Sequence, residues 1–253
     1  MPVQYIRSFT APQRSAKANG RLGMGLAFIA GATNAGGFLA IGYYTSHMSG
    51  IVASISDNVI IGNFRLAVAA LVCLAAFLSG AATSAILINW GRRQHASSEY
   101  ATPLLLEAAL LLCFGVLGAN LEKHLVFFLP ATVALLCYIM GLQNALITKI
   151  SKAEIRTTHV TGLVTDIGIE LGKMMYWHRG DQPANDQRVG ANYAKLALLS
   201  GLLFSFFAGG LVGALGFKSF GFITTVPLAC ILLILAGVPV WDDVSIRRQR
   251  PRM

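Results

Sequence analysis

The chain has 253 residues, of which 55 % are hydrophobic and only 12 % are charged, and its formal net charge is +9. A water-soluble domain normally carries about 25 % charged residues, so the composition excludes an ordinary soluble domain and indicates a lipid environment. The basic residues lie mostly between apolar runs, so membrane topology explains the positive charge better than nucleic-acid binding does.

Six apolar runs are long enough to cross a bilayer as helices, since a span needs about 20 mostly apolar residues. They cover approximately residues 22–44, 65–90, 103–121, 125–148, 192–216 and 219–240. No convincing cleavage site follows the first run, so we predict that it is retained as a span. The sequence therefore predicts an all-α, polytopic protein with a single membrane domain, 1–253.

The distribution of basic residues supports this number of spans. With the N-terminus in the cytoplasm, every Lys and Arg except Arg65, Lys123 and Lys218 falls on the cytoplasmic side. We therefore predict a multi-pass protein of the bacterial inner membrane with cytoplasmic tails at 1–21 and 241–253. Residues 177–190 are predicted to form a cytoplasmic loop.

Two stretches are too polar to cross lipid alone and too apolar to be ordinary loops. They are residues 45–63, after the first span, and residues 151–176, after the fourth span. Each stretch predicts a short helix that is either re-entrant or interfacial.

The chain contains an internal repeat. Residues 31–35 match 141–145 at Gly, Asn and Ala, and residues 45–52 match 157–164 at Thr, His, Gly and Val. Because an odd number of spans separates the two copies, we predict two inverted three-span repeats, 22–121 and 125–240. Inverted repeats are common in transporters, whose sites lie near the midplane where the repeats meet.

Two asparagines lie well inside the first and fourth spans, Asn34 and Asn144. Gly36 and Gly37 follow Asn34, and we expect the first helix to be broken there, which would expose backbone groups to a solute. Alternatively, each Asn hydrogen-bonds between packed helices.

Two histidines occupy equivalent places, in Thr-Ser-His-Met-Ser-Gly at 45–50 and Thr-Thr-His-Val-Thr-Gly at 157–162. We expect Ser49 and Thr161 to cap the following short helix, whose N-terminus favours anions. An imidazole there can gain or lose a proton near neutral pH, although a purely structural role stays open for both histidines. The predicted substrate-binding residues are Asn34, Thr45, His47, Ser49, Gly50, Asn144, Thr157, His159, Thr161 and Gly162.

Four acidic residues are candidates for a proton or ion relay: Asp57, Glu107, Asp166 and Glu170. Acids within a membrane are costly and tend to be functional. If the short helices are interfacial, however, Asp57, Asp166 and Glu170 face water. Glu107, near the start of the third span, could instead snorkel or bond a neighbouring helix.

The sequence has no catalytic motif, so we expect no enzymatic activity and no cofactor. The cysteines Cys73, Cys113, Cys137 and Cys230 lie inside apolar runs without metal-ligand spacing, and we interpret them as small packing residues. We expect no bound metal.

The repeated motifs resemble those of the bacterial YoaK-like membrane proteins, a domain family of unknown function. The resemblance is carried by Gly31–Gly50 and by Gly141-Leu142-Gln143-Asn144-Ala145, Thr157-Thr158-His159-Val160-Thr161-Gly162 and Leu171-Gly172. Asn34, Ile51 and the two histidines depart from the family's residues, which are Asp, Asn and aromatic side chains. The resemblance implies a six-span membrane protein without an assigned substrate.

Three functions fit these observations. The first is a secondary transporter of a small organic or anionic solute, with proton coupling as an option. The alternatives are a solute channel and a non-transporting scaffold or assembly protein, which would have a packed interior. The expected partners are the lipid bilayer, an unknown small solute and a second copy of the chain, but not nucleic acid.

Overall fold

The computed structural model describes residues 16–42, 44–94, 99–121, 125–151, 158–176 and 190–236. These residues form helices and turns, with no β-strand among them. The helices are α1 (Ala16–Ile41), α2 (Met48–Ile61), α3 (Phe64–Arg93), α4 (Ala101–Ala119), α5 (Leu125–Ile150), α6 (Val160–Met175), α7 (Tyr193–Phe220) and α8 (225–236). The C-terminal tail, most of the N-terminal tail and nearly all of the loop predicted at 177–190 lie outside the described residues.

Five segments within the described ranges are long and apolar enough to cross a membrane. They are Asn19–Ala40, Phe64–Arg93, Ala101–Ala119, Phe128–Ile150 and Tyr193–Ala236. The first four agree with the predicted spans, and the chain has the architecture of a polytopic helical membrane protein. The fifth segment contains both of the remaining predicted spans, so the number six stays a prediction.

The fifth segment turns sharply within its length. A straight 44-residue helix would be about 66 Å long, whereas the hydrocarbon core is about 30 Å thick. α7 ends at Phe220, and Gly221, with φ of 61°, begins a 3₁₀ turn, Gly221–Thr224. Thr224 then lies against Gly216 of α7, so the chain folds back on itself before α8 begins.

Short helices follow the first and fourth spans, as the sequence predicts. α2 has 14 residues and is followed by Gly62, whose φ of 82° is the left-handed conformation typical of a helix C-terminus. α6 has 16 residues. The helices that come next, α3 and α7, are both preceded by an N-cap asparagine, Asn63 and Asn192, whose side chain accepts a hydrogen bond from the first turn.

Glycines allow α1 to pack closely against α7. A Cβ at Gly31 would overlap the carbonyl oxygen of Phe206, and a Cβ at Gly209 would overlap that of Phe28. The residue numbers of contacting partners rise together along the two helices, from Gly20 against Leu198 to Gly36 against Phe217. α1 and α7 therefore run parallel.

The helices α3 and α5 pack in the same manner. A Cβ at Gly80 would overlap the carbonyl oxygen of Tyr138, and a Cβ at Gly141 would overlap that of Phe77. Small residues at such crossings let backbones approach closely, which favours helix association within lipid. Each of these helix pairs joins one predicted repeat to the other.

The expected break in the first helix does not occur. α1 is continuous through Gly36 and Gly37 to Ile41, so that prediction is wrong. Gly36 instead makes room for the ring of Phe217, which a Cβ at this position would overlap. The glycine serves helix packing rather than helix breaking.

Candidate functional site

A cavity of about 650 Å³ lies between the two halves of the chain. Both predicted repeats line it, and it receives the loops that precede α2 and α6. Its lining residues are Asn34, Tyr44, Ser46, His47, Met48, Ser49, Phe77, Asn144, Thr158, His159, Val160, Thr161 and Phe206.

The two asparagines meet at this cavity, but their bonding differs. The Ser46 hydroxyl donates to Oδ1 of Asn34 at 3.0 Å, whereas no side chain within the described residues donates to Oδ1 of Asn144. Asn34 lies about 10 Å before the end of α1 at Ile41, at 1.5 Å per residue. The bond to Ser46 therefore shows that the chain returns to this depth before α2 starts.

The two histidines occupy the N-cap positions of the short helices and line the cavity from both halves. His47 and His159 are the N-cap residues of α2 and α6, with closely similar backbone angles, −90° and 71° against −86° and 58°. Each ring lies over a glycine in the first turn, Gly50 or Gly162, where a Cβ would overlap the imidazole. The glycines that we predicted as binding residues therefore position the rings.

The first turns of α2 and α6 carry no side-chain cap. Neither His47 nor His159 forms a capping hydrogen bond, and Ser49 and Thr161 lie inside the helices rather than at the N-cap, so their predicted capping role is wrong. The first residues of both helices, Met48 and Ser49 of α2 and Val160 and Thr161 of α6, line the cavity. The partial positive charge of both helix N-termini therefore lies beside it, an arrangement that suits an anion.

Three aromatic rings complete the lining. Phe77 of α3 and Phe206 of α7 lie in opposite halves, and Tyr44 stacks on Phe38 with ring centroids 4.6 Å apart. The sequence analysis missed all three. A Phe-x-x-Gly pattern that ends at Gly80 and again at Gly209 would have revealed the two phenylalanines.

Comparison with models of protein families shows the family to which this chain belongs. Residues 22–238 match the family described as a protein of unknown function, DUF1275. The chain belongs to this family. No curated protein and no solved structure matches it. The match includes every residue that lines the cavity, and it brings no assigned activity with it.

Thr45, a further predicted binding residue, does not line the cavity. Thr45 is buried at 1 % exposure, and its hydroxyl has no hydrogen-bond partner within the described residues. Thr157 lies outside the described residues, so its predicted role stays untested.

The acids on α6 tie that helix to α7. Glu170, 2 % exposed, accepts hydrogen bonds from the Asn192 amide at 2.8 Å and from Lys173 at 3.0 Å. The Asn192 amide and, next, the Lys173 ammonium hold the pKa of Glu170 below its ordinary value. Asp166 pairs with Lys195 of α7 at 3.3 Å. Neither acid lines the cavity.

The other two acids lie in opposite environments. Asp57 is exposed on α2, away from the cavity lining. Glu107 of α4 has 0 % exposure, and neither of its carboxyl oxygens has a hydrogen-bond partner within the described residues. The structure therefore separates all four relay candidates from the cavity wall, and it buries Glu107 completely.

The described part of the chain holds no group of three or more His, Cys, Asp or Glu side chains that could bind a metal ion. The four cysteines are free thiols. Among the described residues, imidazoles, hydroxyls and side-chain amides line the cavity beside the first turns of α2 and α6.

Proposed function

We propose that this chain is a secondary membrane transporter of a small organic or anionic solute, which binds in the cavity between two inverted repeats. The observation that carries the proposal is the convergence of His47 and His159, with Asn34 and Asn144, on one cavity. A volume of about 650 Å³ falls within the range of small-molecule sites. The proposal assigns no catalytic step to the chain.

Equivalent contacts in the two halves support the repeat. Gly31 against Phe206 corresponds to Gly141 against Phe77, and Phe28 against Gly209 corresponds to Tyr138 against Gly80. Spacing along the chain is preserved from the N-cap Asn63 to Phe77 and Gly80, and from the N-cap Asn192 to Phe206 and Gly209. The repeat thus extends beyond the two motifs to α3 and α7.

The directions of the helices support inversion. α1 and α7 run parallel, as the first and fifth spans of an alternating chain must. In the same order α5 is the fourth span, so it crosses in the direction opposite to its counterpart α1. The second repeat is then inverted relative to the first.

The turn at Gly221 supports a sixth span. α8 begins after this turn, and its residues Leu228, Leu232 and Ala236 are buried in the same core cluster as Leu104 and Phe114 of α4. Thr225, the first residue of α8, lies against Gly115 of α4, the last helix of the first repeat. We propose that the apolar run 219–240, which contains α8, is the sixth span, with both termini in the cytoplasm of a bacterial inner-membrane protein.

The polar lining favours an anion or a hydrogen-bonding organic solute. Two helix N-termini and two imidazoles lie at the cavity, and no carboxylate among the residues that the structure describes lines it. Phe77, Phe206 and Tyr44 add apolar walls that suit a small organic body. A carboxylate or a similar oxyanion on a compact organic molecule satisfies both features.

A channel is the second candidate, since one cavity shared by two inverted halves can also form part of a pore. The scaffold hypothesis predicts a packed interior between Asn34 and Asn144, which the cavity opposes. A homodimer of this small chain stays a prediction.

Uptake into proteoliposomes under a pH gradient tests the proposal. We expect saturable uptake of a small organic anion, and we expect His47→Ala and His159→Ala to reduce it at least about tenfold, a loss of about 1.4 kcal/mol. Ser56→Ala is a matched control, because Ser56 is exposed on α2 and its hydroxyl bonds only its own helix. Uptake that does not saturate would favour the channel. Histidine variants with unchanged uptake would contradict the proposed site.

A further inference from the structure

Glu107 is a buried acid that the cavity does not use. It lies on α4, in a segment apolar enough to span the membrane, with 0 % exposure. Neither of its carboxyl oxygens has a hydrogen-bond partner within the described residues. A charged carboxylate without partners is energetically costly in such a place, so the geometry fits a neutral carboxylic acid.

Within the described part of the chain, no cation pairs with this acid. The helices packed against α4 carry their charged residues near their ends, namely Arg65, Arg92 and Arg93 on α3 and Lys149 on α5. Arg92 pairs with Glu99 instead, and the 3₁₀ turn and α8 carry no charged residue. The remaining titratable side chains on these elements are Cys73 of α3, Cys137 and Tyr138 of α5, and Cys230 of α8.

Gln143 of α5 is a polar neighbour of Glu107. Its side chain is also fully buried, and its Nε2 donates to the Leu26 carbonyl of α1 at 3.2 Å. Its Oε1 has no hydrogen-bond partner within the described residues. A protonated Glu107 could donate its O–H to this oxygen and leave the bond to Leu26 intact.

We propose that Glu107 is a proton-binding site and that Gln143 transmits its protonation state to the helices that line the cavity. When the O–H bond of Glu107 breaks and the proton passes to water, the carboxylate can only accept hydrogen bonds. Gln143 then satisfies it by turning Nε2 toward Glu107, which breaks the bond to Leu26. The bond between Gln143 and Leu26 joins α5 to α1. These two helices carry the cavity residues Asn144 and Asn34, so loss of the proton changes the contact between the two helices that line the cavity.

The acid has no counterpart in the second half. Pro103-Leu104 near the start of α4 matches Pro227-Leu228 near the start of α8, and this alignment places Ile231 opposite Glu107. Ile231 is 39 % exposed, whereas Glu107 is 0 % exposed. The inference therefore gives one proton site per chain rather than one per repeat.

Labelling of the unmodified protein tests the site without any solute. A hydrophobic carbodiimide reacts with protonated buried carboxyl groups, and mass spectrometry then identifies the modified residue. We expect label on Glu107 and a loss of labelling as the pH rises, while the ion-paired Glu170 stays unlabelled. Label confined to other acids, or no label at any pH, would overturn the proposal.

Infrared difference spectra across a pH titration provide a second measurement. We expect the carbonyl band of a protonated carboxylic acid, lost in Glu107→Gln and kept in the control Glu170→Gln. Gln143→Leu should shift the pH at which the band disappears, since it removes the amide that accepts a hydrogen bond from the protonated acid and donates one to the carboxylate. A band that persists in a folded Glu107→Gln variant would refute the site.

The coupling part of the inference rests on the proposed transport function, whereas the proton site does not. In proteoliposomes, we expect Glu107→Gln to remove the pH dependence of uptake while His47→Ala removes uptake itself. If no solute moves but Glu107 is labelled, transport is wrong and the proton site stands. If uptake occurs with the wild-type pH dependence in Glu107→Gln, the coupling is wrong and transport stands.

Discussion

Gly162 sets the position of the His159 imidazole. A Cβ at this glycine would overlap the ring, whereas Gly168 on the same helix has no atom within 4 Å of such a Cβ. Neither residue has a positive φ, so alanine is compatible with the backbone at both positions.

Gly162→Ala should therefore displace the His159 ring from the cavity and reduce solute uptake about as strongly as His159→Ala does. Gly168→Ala should leave uptake unchanged and stabilise the helix by about 0.5–1 kcal/mol, because alanine is the better helix former. Uptake and thermal unfolding of both variants in detergent provide the check. Equal uptake by Gly162→Ala and Gly168→Ala would contradict the proposed role of the ring.

Glu170 should make the stability of the α6–α7 contact depend on pH. The Asn192 amide and Lys173 lower its pKa in the folded chain, so the carboxylate stabilises the fold above its ordinary pKa of 4.5. This contribution is lost as the pH falls below 4.5 and through the lower folded value.

We expect the melting temperature of the wild type to fall in this acidic range and to change less in Glu170→Gln, which should also melt lower at pH 7. Ser56→Ala provides the control. A wild type and a Glu170→Gln variant with the same acid profile would show that the contact contributes no stability.

At the scale of helices, glycine contacts hold the two halves together. A Cβ at Gly31 would meet the backbone of α7, whereas a Cβ at Gly25, on the same helix, meets nothing within 4 Å. Backbone atoms cannot rotate away as a side chain can, so the helices must separate to admit the extra methyl group.

Gly31→Ala should thus destabilise the fold by about 1–3 kcal/mol, a typical cost of overpacking, while Gly25→Ala should be neutral or slightly stabilising. Gly141→Ala, the equivalent change in the other half, should cost about as much as Gly31→Ala. Thermal unfolding in detergent measures all three. A neutral Gly31→Ala would show that the α1–α7 contact is looser than described.

The sequence was sufficient to predict four of the spans within a few residues and both short helices. Long apolar runs indicate segments that cross lipid, and the more polar stretches between them indicate segments that do not. It was not sufficient to predict the role of Gly36, since a glycine inside an apolar run fits a break and a close crossing equally well. Phe77 and Phe206 were missed because a single phenylalanine in a span has the same pattern whether it faces lipid or a cavity, and only the Phe-x-x-Gly spacing shared by the two halves distinguishes them. His47 and His159 were found because the repeat marked them.

At the scale of the whole molecule, inversion of the repeats predicts opposite exposure for equivalent residues. Arg65 and Ala194 lie two residues after the N-cap asparagines of α3 and α7, and both are exposed. In a cysteine-free background, Arg65→Cys should react with an impermeant thiol reagent only from outside the cell, and Ala194→Cys only from the cytoplasmic side. Labelling of both from the same side would contradict inversion.

Because helices of one half pack against helices of the other half, the order of synthesis limits when the fold can form. α1 packs on α7, and roughly 150 residues separate the end of one from the start of the other. At about 5–20 residues per second, the ribosome needs roughly 8–30 s to supply that partner. The first helix must therefore stay in the bilayer without its packing partner α7 during this time. The cavity can form only near the end of synthesis. If the repeats are inverted, as we propose, a half-chain expressed alone could recreate this contact only by pairing with a copy inserted in the opposite orientation.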